Sequence, residues 1–323
     1  AGFCEIDPQL RQFIHKRAPD IPVHGNIYTL LEDLKSGDIN FHQKGQVHIV
    51  TAATPYIGPS FISLLRDTPT LRTHEHAQLY ATCQIIFFLR PEVAILEMTD
   101  NSKEDISVDA SDLEHLRILF EQHQYKLSSK VLSAAECGDC TDRRSLFLIA
   151  HSPHTPSIDL TPSTYAQPYG LADILDLPEH VSDTCRRRGT LTSSNATCST
   201  RKAKTIGHIG PGSGTTAKVY DIGGIAPSIP SYGVTVFDSR LSSKPTRYLT
   251  VEELGRAASL PSSTIGHLNK LPIRQATRYV ASATPYGLMH HVWFMVCEHL
   301  DNNPKDYLYV SQSTFEALPA LLT

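Results

Sequence analysis

Residues 47–61 read VHIVTAATPYIGPSF. Val47, Ile49 and Val50 form a short apolar run, which predicts a buried strand, and Pro55 marks the turn that ends it. A buried strand opening onto a turn is a common place for a reactive side chain. The residue after Pro55, however, is Tyr56, and no Ser or Cys nucleophile stands there. The stretch has the outline of a site without the atom that would do covalent chemistry.

Working outward, VAILEM (93–98) and SLFLIAH (145–151) are two more apolar runs of strand length bounded by turn residues. Helical spacing lies between them. Ala77, Tyr80, Cys83, Ile86 and Phe87 recur on one helical face, as do Leu113, Leu116, Leu119, Phe120 and His123, with Ser111 as the expected N-cap. Strands alternating with helices at this interval predict an α/β fold, with a doubly wound, mostly parallel, Rossmann-like sheet.

The texture changes after residue 151. SPHTPSIDLTPSTYAQPYG (152–170) and TLTSSNATCSTRKAKT (190–205) are rich in Ser, Thr and Pro and have no long period, which predicts a smaller irregular domain or a loop-rich insertion. Helical periodicity returns in TVEELGRAASL (250–260), where Thr250 and Glu253 have capping-box spacing, and again in YGLMHHVWFMVCEHL (286–300). The expected division is 1–151, 152–245 and 246–323. Gly2 to Ile6 reads as the end of a strand in progress, so the chain is expected to begin inside a fold.

The 323 residues are 41% apolar and 19% charged, with a formal net charge of −4. Such a chain can bury a substantial core, and no global basic field draws it to nucleic acid; a nucleic-acid contact would need a local cluster. Seven cysteines, an odd number, point to free thiols in a reducing compartment. The expected location is intracellular, and nuclear in a eukaryote. No apolar run approaches the roughly 18 residues of a membrane helix.

Several motifs invite chemistry. CGDC (137–140) has the spacing of a zinc or redox pair, but Cys185 and Cys198 complete no common metal pattern, so incidental thiols are the expectation and no metal is assigned. GHIGPGSGTT (207–216) is Gly-rich but lacks the Gly-Lys-Ser/Thr ending of a phosphate loop. His290 and His291 sit on an apolar helix and read as packing or surface residues. CRRRGT (185–190) and RKAKT (201–205) are local basic clusters of the kind that contacts phosphate backbones. Glu97 ends a buried strand, where acids of open α/β sheets line the ligand crevice.

In their order along the chain, these pieces resemble the cytosine-5 DNA methyltransferases. The resemblance covers nearly the whole chain, and every motif in it is altered. It implies that Glu5 of CEID is the acid for the ribose of S-adenosylmethionine and Ile6 the residue packing its adenine. Asn26 and Ile27 of GNI then stand where the family has Asp-Ile, and Pro55, Tyr56 and Ile57 where it has Pro-Cys-Gln. EMT keeps the family's base-holding acid as Glu97 and puts Met98 in place of Asn, a pattern similar to the fungal branch linked to repeat-induced silencing. TDRRS keeps one arginine, Arg143, and replaces two partners by Thr141 and Ser145. RYLTVEELGRAASLP (247–261) is similar to a later family helix, with Glu252 where Arg is usual. In RYVASATPYGLMHHVW (278–293), Ala281 and Ser282 replace Gly-Asn while Pro285 remains. The family's Gly-rich first motif is absent, which implies an N-terminal truncation. Residues 152–245 take the place of the region that recognises target DNA.

The family reaction explains what the changes cost. Carbon 5 of cytosine becomes nucleophilic only after a thiolate adds to carbon 6, while a carboxylic group holds the ring edge. Cys titrates near 8.5 and suits this; Tyr titrates near 10 and is a weaker carbon nucleophile. The cofactor site is weakened too, because the Gly-rich loop is absent and Ala281 adds a methyl group at a close approach. The leading expectation is a methyltransferase-like domain without activity at Tyr56. The alternatives are a DNA-binding or scaffold module, and an active enzyme with a displaced nucleophile.

Overall fold

The computed structural model describes residues 2–37, 47–54, 74–99, 110–162, 168–180, 191–193, 203–209, 217–241 and 245–302. Its central element is a four-stranded sheet. The strands are β3 (Ile49–Thr54), β4 (Val93–Thr99), β5 (Lys126–Ser133) and β6 (Arg144–His151), in the order β3-β4-β6-β5. Before it, β1 (Phe3–Cys4) and β2 (Val23–His24) pair in parallel as a two-stranded ribbon.

Strand alternation divides the core in two. Ala94, Leu96 and Met98 of β4 share one face with Leu146, Leu148 and Ala150 of β6. That face is covered by helices α3 (His74–Leu89) and α4 (Ala110–Gln122), through Leu79, Cys83, Ile86 and Phe87 of the first and Leu116 and Phe120 of the second. Val93, Ile95, Phe147 and Ile149 point the other way, against Leu288, Val292 and Val296 of the C-terminal helix. Both faces of β4 are buried, which is why VAILEM reads as a continuous apolar run rather than an alternating one.

The sheet is mixed, not mostly parallel. β3 and β4 run parallel, whereas β4–β6 and β6–β5 are antiparallel. Chain length decides this. The connection from β3 to β4 includes α3 and can make a crossover, but only residues 134–143 join β5 to β6, too few for the crossover that a parallel pair requires. Of the β5 side chains only Leu127 and Leu132 are buried, so KLSSKVLS carries almost no apolar signal. Helix α4 begins at Ala110, so Ser111 lies inside its first turn and is not the N-cap; helix ends shift by a residue or two with cap geometry.

The stretch expected to be irregular contributes to a five-stranded sheet. Its strands are β7 (Leu191–Ser193), β8 (Thr205–Ile209), β9 (Ala217–Asp221), β10 (Thr235–Phe237) and β11 (Thr246–Tyr248), in the order β11-β10-β9-β8-β7. Strands of three to five residues are too short to show a period among Ser, Gly and Pro. The sheet also crosses the expected boundary at residue 245.

The remaining helices are α1 (Pro8–Arg17), α2 (Ile27–Ser36), α5 (Leu171–Ile174), α6 (Val251–Ala257), α7 (Ser262–Leu268), α8 (Ile273–Ser282) and α9 (Tyr286–Asn302). Thr250 and Glu253 form the expected capping box at α6: the Thr250 hydroxyl accepts from the Glu253 amide at 3.1 Å and the Glu253 carboxylate from the Thr250 amide at 2.8 Å. At the start of α9 the buried Asp139 carboxylate accepts from the amides of Gly287 (3.0 Å) and Leu288 (2.7 Å). A Cβ on Gly287 would lie 2.8 Å from that carboxylate, so glycine permits the close approach.

Candidate functional site

Glu97 lies near the end of β4, opposite Phe147 in register, on the face turned toward α9. Ser145, two residues before Phe147 on β6, shares the face of Glu97, and Arg143 lies just before that strand begins. Glu97 is 5% exposed. One carboxylate oxygen accepts from the Ser145 hydroxyl at 2.8 Å and from Arg143 Nη2 at 3.4 Å; the other accepts from the Thr284 hydroxyl. Arg143 Nη1 donates to the carbonyls of Ala281 (2.8 Å) and Ala283 (2.9 Å). The segment linking α8 to α9 is thereby fastened over the strand end, with Pro285 buried beside it.

A second cluster hangs on the same helix. The Tyr279 hydroxyl donates to Asp7 Oδ2 at 2.8 Å. Asp7 also caps α1, its Oδ1 accepting from the amides of Gln9 (2.9 Å) and Leu10 (3.3 Å). Burial pushes the Asp7 carboxyl up, but the Tyr279 hydroxyl, the two amides and the charge of Arg278 outweigh it and hold it below the usual carboxylate range. The Asp7 amide donates to Glu5 Oε1 at 2.8 Å, and Arg11 Nη1 donates to the carbonyls of Glu5 and Ile6 at 3.1 and 2.9 Å. Ile6 is left 62% exposed.

The other residues singled out in the sequence are placed as follows. Asn26 caps α2, its side-chain oxygen accepting from the Tyr28 amide at 2.8 Å, and Ile27 is the first residue of that helix. Ser282 donates to the carbonyl of Tyr279 at 3.0 Å. Met98 is in the core on the opposite face from Glu97. Pro55, Tyr56, Ile57 and the arginines at 186–188 lie outside the described residues. Burial comes first in pushing the Cys137 and Cys140 thiols up, to about 12 and about 11. Among the described residues no group of three or more His, Cys, Asp and Glu side chains is placed to hold a metal ion, and no helix is long and apolar enough to cross a membrane.

Sequence reading missed Thr284, Asp7, Tyr279 and Asp139. Asp7 was legible, since Asp followed by Pro8 at the first helical position is an N-cap signature. Thr284 was not, because nothing local shows that it reaches a glutamate 187 positions away.

No family model matches the chain, and no curated protein matches it. Solved structures do. The Dnmt2 methyltransferase of S. pombe aligns with a TM-score of 0.62 at 12% identity, over 92% of this chain and 90% of that one. The methyltransferase EhMeth of Entamoeba histolytica aligns at 0.61 and 12%, over 94% and 90%. A prophage-encoded E. coli protein assigned as a DNA modification methyltransferase aligns at 0.63 and 11%, over 93% and 92%. At these identities the similarity establishes the fold: this chain has the α/β fold of those methyltransferases along nearly its whole length.

Proposed function

We propose that this chain is a DNA cytosine-5 methyltransferase-like domain that has lost its covalent step, with DNA as partner through residues 152–245. The observation that carries the reading is the convergence of Glu97, Arg143 and the Ala281–Thr284 segment. These three sequence motifs, far apart in the chain, meet in one buried cluster at a strand end. In this reading Glu97 and Arg143 frame the pocket for a flipped pyrimidine, and Tyr56 takes the nucleophile's position. A phenol supplies no thiolate, and its ring is far larger than the thiol it replaces.

The residues present suit the adenosine half of S-adenosylmethionine. Glu5 is half-buried with one oxygen committed to the Asp7 amide, and Ile6 beside it offers an open apolar surface. Asn26, Ile27, Pro55 and Ser282 complete the proposed cofactor set. The cofactor, when bound, brings a transferable methyl group. Glu5 would orient the ribose, Ile6 would exclude water from one adenine face, and Glu97 would hold the edge of the base. The retained pair Glu97–Arg143 also ties the sheet to α8 and α9, so the cluster has a use in the fold without chemistry.

Incubation with tritiated S-adenosylmethionine and cytosine-rich duplex DNA tests the proposal. The expected result is no incorporation and no covalent trapping on a fluorinated cytosine substrate; clear incorporation overturns it. A cofactor-induced rise in melting temperature is the separate measure of the adenosine site. Salt-dependent DNA binding that weakens when Arg186, Arg187 and Arg188 are neutralised supports the assigned partner, each lost phosphate contact reducing the salt slope by about 0.9.

A further inference from the structure

The paired strands β1 and β2 run out into two short segments, one carrying Glu5 and Ile6, the other Asn26 and Ile27. The Glu5 amide donates to the His24 carbonyl at 2.8 Å, and the next rung of a parallel ladder would bring the Asn26 amide to the Glu5 carbonyl. That carbonyl accepts instead from Arg11 Nη1 at 3.1 Å, and the Ile6 carbonyl accepts from the same nitrogen at 2.9 Å. On the reading that these segments hold S-adenosylmethionine, we propose that Arg11 is a positioning residue of the adenosine site, its guanidinium setting the gap between them.

Local structure fixes where that guanidinium goes. Arg11 is in the first turn of α1, and helical side chains lean toward the N-terminus, so it reaches back over the residues that precede the helix. The helix is itself anchored, since Asp7 caps it and also takes the hydroxyl of Tyr279, a core residue of α8. On the second segment, a Cβ built on Gly25 would lie 3.0 Å from Arg11 Nη1 and 3.4 Å from Cζ. Gly25 is not in the left-handed region, so glycine serves here as space for the guanidinium. One half-buried side chain thus touches both segments, the first by hydrogen bonds and the second by packing.

A ligand that contacts both segments binds only when the gap between them is right. Hydrogen bonds from a charged donor are about twice as strong as neutral ones, so the guanidinium holds the Glu5 carbonyl against the competing amide. Without it the Asn26 amide can take that carbonyl, which extends the ladder by one rung and narrows the gap. Affinity then falls by the fraction of molecules that keep the open spacing.

Calorimetric titration of the whole chain with S-adenosylmethionine, and with 5′-methylthioadenosine, which lacks the amino-acid end, tests this role. Arg11→Ala is expected to weaken both ligands about tenfold, as when about a tenth of the molecules keep the open spacing. Arg11→Lys, whose ammonium can donate to both carbonyls, restores most of the affinity. Gly25→Ala, which crowds the guanidinium but leaves it in the chain, loses part of it. Melting temperatures without ligand separate folding from binding. If the unaltered chain binds neither ligand, the adenosine site and this role fall together. If it binds and Arg11→Ala binds equally well, the role of Arg11 alone is overturned, even where that variant melts earlier. An equal loss in Arg11→Lys overturns it too, as does a loss confined to S-adenosylmethionine, because Arg11 would then serve the amino-acid end. If Arg11→Ala does not fold, Gly25→Ala decides: weaker binding at an unchanged melting temperature supports the role, and unaltered affinity overturns it.

Discussion

Two buried arginine–glutamate pairs occupy different places in this molecule and are built from different partners. Arg247 and Glu253 are both fully buried. Arg247 grips both oxygens of Glu253 at 2.7 Å, and each oxygen also takes a backbone amide, from Asp176 at 2.9 Å and from Thr250 at 2.8 Å. All four donors are N–H groups, which cannot become acceptors. Arg143 reaches Glu97 by a single contact of 3.4 Å, and the short bonds there come from the hydroxyls of Ser145 and Thr284. A hydroxyl can rotate and accept instead of donate. The first pair is a fixed tie between β11 and α6. The second is a cluster whose hydrogen bonds can be redirected, as a base-binding or proton-sharing position requires.

The sharpest way to break the contrast is Glu253→Gln. The amide NH2 would face N–H donors, leaving buried groups unmatched beside a guanidinium that loses one of its two carboxylate partners and keeps Asp238. The expected loss is about 3–5 kcal/mol, as for removing one partner of a buried ion pair. Urea or thermal unfolding measures it. A loss below about 1 kcal/mol would mean that the site relaxes and that Arg247 is not fixed as described.

Acid titration gives an intermediate effect. Burial pushes the Asp238 carboxyl up, but bonds from Arg240 and Arg247 outweigh it and hold it below the usual range. A carboxyl with a lowered folded pKa contributes stability that is complete above its unfolded value, near 3.9, and is lost as pH falls through the folded one. Asp139 has the opposite sign: burial raises its pKa despite bonds from Ser259, Gly287 and Leu288. Its contribution therefore improves as pH falls through the raised folded value toward the unfolded value near 3.9. Asp238→Asn is expected to flatten the loss of stability below about pH 4, and Asp139→Asn the change above it. Melting curves from pH 3 to 7 check both, and an unchanged acid limb in Asp238→Asn contradicts the assignment.

The same contrast separates what the sequence discloses from what it withholds. Arg247 and Glu253 are six residues apart, and the capping-box spacing of Thr250 and Glu253 announces the helix start. β3, β4 and β6 were legible because burial on both faces leaves unbroken apolar runs. β5 and β7–β11 were not, because their inward positions are few or the strands too short to establish a period. Of the candidate site, Glu97 and Arg143 were visible through motif order alone, since no local pattern links residues 46 apart. Thr284 and Ser145 donate single hydroxyls, and a lone Thr or Ser in a sequence carries no sign of its partner.

The smallest expected effect is the most informative about Glu97. In Glu97→Gln the carboxamide oxygen keeps one hydroxyl donor, and its NH2 can donate to the other hydroxyl once that group rotates. What is lost is the charge opposite Arg143, which still holds the carbonyls of Ala281 and Ala283. The expected cost is about 0.5–1.5 kcal/mol, the scale of one net hydrogen bond. Glu97→Leu removes the acceptor altogether, takes that partner from both hydroxyls and the carboxylate from beside Arg143, and should cost several times more. Thermal unfolding of the two variants beside Glu253→Gln settles the order. If Glu97→Gln proves as damaging as Glu253→Gln, the hydroxyls do not rotate. Glu97 is then a fixed tie like its counterpart, and a base edge could not replace Thr284 as its partner.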